Sequence, residues 1–217
     1  MPAAKAKPVK SSRTYRSALR TKGALETRRN ILDTAMRLFL ERGYGKVTVA
    51  DIANEADLAP PTVYTSTGGK TAILATLIEE AMQDPIVAET LTSVRKAKSA
   101  ADVLKITAHG TRVDNERYHD IIEVMKYAAA VDATATDILR QSDAGYRQAL
   151  GQIARRLRTL KALPRGVTEA KATDILWFYF GHEAWHRLVA ECGWSWDDAE
   201  RWLLAQTFTA LIRPDLS

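Results

Sequence analysis

The sequence contains only one cysteine, Cys192, and no apolar run near the roughly 18 residues that a membrane-spanning helix needs. One thiol excludes a disulfide within the chain, which is typical of a protein from a reducing cytoplasm. No apolar segment of about 7 to 15 residues follows the first basic residues, as a secretory signal would require. Alternating strand patterns and internal repeats are also lacking, and an all-α cytoplasmic protein is therefore expected.

Acidic residues are absent from the first 22 positions, which contain seven lysines and arginines. The net charge of the whole chain is only +5, so the remaining residues have a slight acidic excess. A basic segment of low complexity can contact the DNA backbone and release its counterions. We therefore predict that residues 1–24 form a flexible, DNA-contacting arm, with Arg20 and Lys22 as candidate contacts.

The segment that follows Val47 has the pattern of a short capped helix. Thr48 and Asp51 are spaced as in a capping box, in which the threonine hydroxyl accepts a hydrogen bond from the amide three residues later. The acidic side chain also suits the positive end of a helix. These residues predict a helix that begins at Val49 and ends near Ala56.

A tight turn and a second short helix are indicated immediately afterwards. Asp57 tolerates the left-handed backbone that such a turn requires. Pro60 and Pro61 suit the first turn of a helix, because their missing amide protons would be unpaired there anyway. A helix this short is unstable alone and needs a supporting core.

The support is predicted upstream, in an amphipathic helix between Arg28 and Arg42. Gly43 has the position of a helix stop, and helical periodicity resumes at Lys70 after a break. The inward-facing residues of the upstream helix are Ile31, Leu32, Ala35, Leu38 and Phe39.

This pattern resembles the amino-terminal signature of TetR-like transcriptional regulators across residues 26–74. Seventeen positions agree, and Asp57 and Thr67 depart from the usual pattern. The agreeing positions are Ile31, Leu32, Ala35, Leu38, Phe39, Gly43, Tyr44, Thr48, Val49, Ile52, Ala53, Ala56, Thr62, Val63, Tyr64, Lys70 and Leu74.

The resemblance implies a helix-turn-helix DNA-binding domain at residues 25–73 and a helical effector-binding and dimerisation domain at 74–217. It also implies a homodimer that binds a double-stranded DNA operator with the second helix of the motif in the major groove. Val63 would then face inward. The DNA-contacting candidates that the resemblance implies are Thr48, Pro61, Thr62, Tyr64, Thr65 and Lys70.

The rest of the chain consists of apolar-periodic segments separated by turn signals. Helices are predicted around residues 71–83, 86–95, 100–113, 118–130, 134–161, 168–191 and 196–212. By resemblance, these helices should enclose a cavity for an unknown small-molecule effector. Its candidate lining residues are His109, Arg112, Tyr118, Met125, Tyr127, Tyr179 and His182.

The last two predicted helices are unusually rich in large apolar side chains. In TetR-like proteins the corresponding helices pack against those of a second subunit. The candidate interface residues are Trp177, Phe178, Trp185, Leu188, Trp202 and Phe208, although packing within one chain is an alternative.

His182, Glu183 and His186 match the His-Glu-x-x-His pattern of zinc peptidases, in which two histidines one helical turn apart bind the metal. A zinc hydrolase also needs a third protein ligand, and the downstream acids have no recognised spacing for one. The sequence therefore predicts no metal, no cofactor and no catalytic residue, with a zinc hydrolase as an alternative.

The favoured function is a sequence-specific transcriptional regulator, and a repressor released by its effector is the main hypothesis. A non-specific, nucleoid-type DNA-binding protein is a further alternative, because the basic arm alone would give it affinity. The operator, the effector and the choice between repression and activation cannot be predicted from these residues.

Overall fold

The structure, a computed structural model, describes residues 11–213. Eleven α-helices and no strand occur in that range. The helices are α1 Ser11–Arg42, α2 Val49–Glu55, α3 Pro60–Thr67, α4 Lys70–Met82, α5 Ile86–Lys96, α6 Ala100–Arg117, α7 His119–Ala129, α8 Ala133–Thr159, α9 Glu169–Phe180, α10 His182–His186 and α11 Trp196–Leu211.

The chain divides into two compact units between Thr76 and Leu77. The sequence placed this boundary three residues earlier, between 73 and 74. Helix α4 contributes its first residues to the first unit and its remaining residues to the second. The expected all-α organisation, with a small first unit and a larger second one, is confirmed.

The first unit is built around the apolar face of α1. The five inward-facing residues predicted for this helix are each at most 2% exposed, and Gly43 ends the helix with a φ of 82°. Ile52 of α2 and Val63 of α3 are completely buried as well. The amphipathic pattern therefore correctly identified the core that supports the two short helices.

Helix α1 begins at Ser11, well before the predicted start near Arg28. The prediction of a flexible arm at residues 1–24 therefore does not hold for residues 11–24, which are helical. No proline lies between residues 11 and 42, and alanine, leucine, arginine and lysine favour continuation of a helix. The first ten positions of the predicted arm lie outside the described residues.

Helices α5 to α11 form the second unit together with the end of α4. Each predicted segment corresponds to a helix, with ends that differ by a few residues. The exception is the segment 168–191, which is interrupted at Gly181, where the backbone becomes extended. Helix α10 follows, and a π-helical turn at Arg187–Glu191 completes the segment.

The close approach of the chain at the interruption requires glycine at position 181. A Cβ atom added there would collide with the carbonyl oxygen of Trp177. On the two sides of it, Phe180 and Trp185 are completely buried in the core of the second unit. None of the helices within residues 11–213 is long and apolar enough to cross a membrane.

Candidate DNA-reading surface and candidate ligand cavity

The predicted capping box is present at the start of α2. The Asp51 amide donates to Thr48 Oγ1 over 3.1 Å, and the Thr48 amide donates to Asp51 Oδ2 over 2.8 Å. The Thr48 hydroxyl also donates to Asp51 Oδ2 over 2.6 Å, and these bonds hold the pKa of the Asp51 carboxyl below its usual value. Thr48 therefore fixes the position of α2, and its predicted DNA contact stays a prediction.

The turn between α2 and α3 has the expected left-handed residue. Asp57 has a φ of 56°, and the amide of Leu58 donates to the Ala53 carbonyl over 2.9 Å. Asn30 of α1 donates to the Ala56 carbonyl over 3.1 Å. This bond satisfies a carbonyl at the end of α2, and sequence reasoning missed it because the contact joins residues 26 positions apart.

Helix α3 presents the candidate reading residues on an exposed surface. Pro61, Thr62, Tyr64 and Thr65 are all exposed, and the Tyr64 side chain is 57% accessible. The Thr65 hydroxyl donates to the Pro61 carbonyl over 2.8 Å within the helix. Thr62 and Tyr64 are therefore the best-placed polar groups of α3 for a base or a phosphate.

Lys70 has a structural contact that the sequence did not predict. Its Nζ donates to the Tyr44 carbonyl over 3.0 Å and lies 4.3 Å from the centre of the Tyr44 ring. The Tyr44 ring is buried, and its hydroxyl lies 3.3 Å from Thr71 Oγ1. Lys70 thus joins the start of α4 to the loop after α1, and its role as a phosphate contact stays a prediction.

Arg28 is a second residue that sequence reasoning missed. Its guanidinium donates to the Ser66 carbonyl over 2.6 Å and to Thr76 Oγ1 over 3.2 Å. It therefore links α1 to the end of α3 and to α4. A polar residue on an amphipathic helix usually faces solvent, so the pattern gave no signal for this contact.

The two arm candidates lie on the exposed surface of α1. Arg20 and Lys22 are both exposed, and Lys22 Nζ lies 3.8 Å from Glu26 Oε1. A surface ion pair of this kind contributes little to stability. Both basic groups therefore remain candidates for phosphate contacts.

A cavity of about 240 Å³ lies in the second unit. A smaller chamber of about 40 Å³ shares Val87, Asp114, Tyr146 and Ala149 with it. Most of the wall is apolar. The lining residues of the larger chamber are Ile78, Ala81, Met82, Val87, Asp114, Tyr118, Ile121, Ile122, Met125, Ser142, Gly145, Tyr146, Ala149 and His182.

Tyr118, Met125 and His182 of the predicted effector-binding set line this cavity. The structure does not bring the other four predicted residues to its wall. Tyr127 is 65% exposed, and Tyr179 lines a separate surface groove. The remaining two are His109 and Arg112.

Both of these residues pair with acids instead. Arg112 contacts Glu116 at 2.9 Å and Asp197 at 2.5 Å, while His109 lies 3.6 Å from Glu200. Asp197 and Glu200 belong to α11, so the two basic residues link α6 to α11. Their contacts with α11 were not predictable, since Asp197 and Glu200 lie far away in the sequence.

Asp114 is among the cavity residues that sequence reasoning missed, because its polar neighbours were interpreted as a helix break. Burial raises the pKa of its carboxyl to about 6, and the nearby Asp84 carboxylate adds to the rise. A signal was present in the spacing. Thr107, Gly110, Thr111, Asp114 and Tyr118 follow a helical period, and all five line one of the two chambers.

His182 is held by a hydrogen-bonded network at the cavity wall. Asn115 Nδ2 donates to the Thr111 carbonyl over 2.8 Å, which leaves Asn115 Oδ1 as the acceptor for His182 Nδ1 at 2.8 Å. The proton of neutral His182 is therefore on Nδ1, and Nε2 is an acceptor. Burial lowers the pKa of His182 to about 4, so the ring is uncharged at neutral pH.

The His-Glu-x-x-His residues have separate partners. His182 bonds to Asn115, whereas His186 lies 2.8 Å from Glu123 and 3.4 Å from Glu191. The Glu183 carboxylate lies 3.0 Å from Lys126 Nζ. No group of three potential ligand residues within 11–213 is arranged to hold a metal ion, so the zinc-hydrolase alternative is not favoured.

An apolar groove of about 630 Å³ lies on the surface formed by α8 to α11. Phe178 is 72% exposed and Trp202 is 42% exposed on it, while Trp177, Leu188 and the nearby Phe208 are half-buried. The prediction that Trp185 contacts a second subunit is wrong. It is completely buried in the core of its own chain.

The helices and their polar contacts define an all-α helix-turn-helix protein whose second helical unit contains a ligand-sized cavity. Residues 31–77 match the family described as bacterial regulatory proteins, tetR family. The resemblance seen in the sequence is confirmed over these residues, which form a domain similar to the DNA-binding domain of that family. No curated protein matches the chain.

Several solved structures share the fold over almost the whole chain. NalD, the secondary repressor of the MexAB-OprM multidrug efflux pump in Pseudomonas aeruginosa, is 16% identical with a TM-score of 0.71, covering 89% of this chain and 99% of NalD. The fatty acid degradation regulator FadR from Bacillus halodurans is 16% identical with a TM-score of 0.70, covering 86% and 97%. SmeT, the repressor of the Stenotrophomonas maltophilia multidrug efflux pump SmeDEF, is 17% identical with a TM-score of 0.59, covering 88% and 92%. Identities this low show a common fold alone.

Proposed function

We propose that the protein is a homodimeric transcriptional repressor that binds a palindromic operator and leaves it when a small molecule occupies the cavity. The observation that carries this proposal is the exposed face of α3 on a TetR-family domain, in a chain whose second unit contains the cavity. The repressors NalD and SmeT share the fold, which supports repression over activation.

DNA reading would depend on few direct contacts. Thr62 can bond a base edge or contact a thymine methyl group, and Tyr64 can donate its hydroxyl to a phosphate. Neither side chain makes the bidentate contacts of arginine or asparagine, so DNA shape would contribute to specificity. Basic residues of α1, including Arg20 and Lys22, would add affinity that is independent of sequence.

A dimer is expected because one short reading helix contacts too few base pairs for useful specificity. Two copies related by a two-fold axis place their reading helices in successive major grooves, about 34–36 Å apart. Phe178 and Trp202 support this proposal, since large apolar side chains on an exposed surface favour a protein partner. A second copy of the chain would cover them.

Helix α4 provides the means of regulation in this proposal. It starts in the DNA-binding unit at Lys70, and Ile78, Ala81 and Met82 near its other end line the cavity. A ligand that displaces these three residues would move the helix. The spacing of the two α3 helices would then no longer match the operator, so ligand and DNA would oppose each other's binding.

The experiment is a selection of bound sequences from a random duplex pool with the full-length protein at about physiological salt. A palindrome should be enriched, and Thr62→Ala and Tyr64→Phe should weaken its binding by about tenfold each, about 1.4 kcal/mol. Thr92→Ala is a control, because Thr92 lies on α5 of the second unit and its hydroxyl bonds only within its own helix.

Salt-sensitive binding without an enriched sequence would instead support the non-specific DNA-binding alternative. Removal of the first ten residues distinguishes the two hypotheses further. A sequence-specific regulator should lose affinity but keep its base preference after this truncation. If neither the full-length nor the truncated protein prefers any sequence, the proposal is contradicted.

A further inference from the structure

The polar groups of the cavity differ in whether they already have partners. Tyr118 donates its hydroxyl to Asp84 Oδ2 over 2.6 Å, and Tyr146 donates to the Phe180 carbonyl over 2.9 Å. His182 uses its only proton on Asn115. The polar protons of these three side chains are therefore already used in hydrogen bonds within the protein. A ligand can contact the aromatic rings of the tyrosines and the acceptor Nε2 of His182.

Asp114 is different, because its carboxyl group faces the cavity without a counter-charge of its own. Within residues 11–213, no hydrogen bond or ion pair joins the Asp114 carboxyl to another group. The cation that acts on its pKa is Arg117, whose Nη1 lies 2.5 Å from Asp84 Oδ2. Asp84 thus has the cation and a tyrosine hydroxyl, whereas Asp114 has neither.

The rest of the wall suits a positively charged ligand with an apolar body. Among the described residues that line the two chambers, none is a lysine or an arginine. Tyr118 and Tyr146 contribute aromatic rings, which attract cations through their negative faces. Ile121, Ile122 and Met125 contribute apolar surface on the same wall. An anionic ligand would find no basic partner and would be repelled by Asp114.

We propose that the ligand of this cavity is a lipophilic organic cation, whose positive charge pairs with the Asp114 carboxylate against the rings of Tyr118 and Tyr146. This inference rests on the proposed function, because it names the chemical class of the effector. The chamber of about 240 Å³ lies just below the ~300–1,000 Å³ of typical ligand pockets, so a small cation is expected.

The test uses three probes of similar shape. Benzyltrimethylammonium carries one positive charge, neopentylbenzene is its uncharged carbon isostere, and phenylmethanesulfonate is an anion. Equilibrium dialysis at pH 7.5 would measure the affinity of the full-length protein for each. We expect the cation to bind at least about tenfold more tightly than the isostere, because a buried, otherwise unpaired charge gains an opposite charge.

Asp114→Asn removes the charge and keeps the shape of the side chain. It should abolish the preference for the cation and leave the affinity for neopentylbenzene unchanged. Asp137→Asn is the matched control, because it makes the same change of charge at an exposed carboxylate on α8 that pairs with Arg140. This control should keep the full preference.

The pH dependence provides a test that needs no variant. Asp84, Arg117, Tyr118, Tyr146 and His182 are the titratable groups around Asp114, and His182 stays neutral above about pH 4. Affinity for the cation should therefore rise between pH 5 and 7, as the Asp114 carboxyl ionises with its pKa of about 6. Affinity for the isostere should not change.

The inference is overturned if benzyltrimethylammonium does not bind, if the isostere binds as tightly as the cation, or if Asp114→Asn keeps the preference. Its failure is separable from failure of the proposed function. An operator released by uncharged compounds would leave the repressor proposal intact and refute the cation. Cation binding that depends on Asp114, in a protein that enriches no duplex, would support the cation inference and contradict the repressor proposal.

Discussion

Single residues in the first unit divide into those that hold the fold and those available to DNA. The Thr48 hydroxyl is bonded to Asp51, whereas the exposed Thr62 lies on α3. Both were DNA-contact candidates of the same residue type. The structure therefore predicts that the same substitution at each position has different effects on stability.

Thr48→Ala removes the cap of α2 and should lower the free energy of unfolding by about 1 kcal/mol. Thr62→Ala is the matched control and should change stability by less than about 0.5 kcal/mol, because the side chain is exposed. Urea unfolding followed by circular dichroism measures both. Equal losses of stability in the two variants would contradict the assigned role of Thr48.

Asp114 makes a prediction about pH and stability that does not depend on any ligand. Its pKa is about 6 in the folded chain and near 3.8 in the unfolded chain, so folding favours the protonated form. The native state then binds more protons than the unfolded state between these values. The contribution of Asp114 to stability should therefore fall as the pH rises from about 4 to about 6.

The variant Asp114→Asn cannot ionise and should escape this loss. We expect it to be more stable than the wild type by about 3 kcal/mol at pH 7, with the difference falling toward zero below about pH 4. Chemical denaturation across this pH range measures the effect. Asp137→Asn serves as a control that should show no such difference, and a constant gap at all pH values would argue against the assigned cause.

At the scale of elements, the distance between neighbouring helices of the second unit depends on which helical positions are glycine. A Cβ atom at Gly110 of α6 would collide with the side chain of Thr90 on α5, which places these two helices in close approach. Gly151 of α8 has only ordinary contacts, with its nearest neighbour Thr173 Oγ1 at 3.8 Å. Both glycines lie inside helices.

Gly110→Ala should lower the free energy of unfolding by about 1–3 kcal/mol, because α5 and α6 must separate to admit the methyl group. Gly151→Ala should instead raise it by about 0.5–1 kcal/mol, since alanine is the better helix former. Thermal unfolding of the two variants beside the wild type measures the contrast. Stabilisation by both substitutions would refute the close contact.

Sequence patterns predicted the elements better than they predicted the contacts between them. Apolar periodicity, capping residues and prolines are local signals, and they located the starts of α2 and α3. The hydrogen bonds of Arg28 to Ser66, of Asn30 to Ala56 and of Arg112 to Asp197 span 26 or more positions, so no local pattern identifies them. Asp114 was missed for a different reason, because its polar neighbours were interpreted as a helix break.

At the scale of the whole molecule, the exposed aromatic residues of the second unit are the feature to test. Phe178 is 72% exposed and Tyr127 is 65% exposed, yet only Phe178 lines the apolar groove between α8 and α11. If a second copy covers this groove, the two residues should differ in their effect on assembly.

Phe178→Glu should convert the proposed dimer to a monomer, because a carboxylate in an apolar interface loses its hydration without gaining a partner. Tyr127→Glu is the matched control and should remain dimeric. Sedimentation velocity measures the state of each, and operator affinity should fall by at least about tenfold in the monomer. A monomeric wild-type protein would contradict the proposed two-fold arrangement.

Cys192 lies exposed in the turn before α11 and is the only thiol in the sequence. A maleimide-linked spin label would consequently attach at one position per chain without any prior substitution. Two copies would carry one pair of labels, so a pulsed dipolar measurement would return a single distance distribution. That distribution would report directly on how the assembly rearranges when DNA or a cation is added.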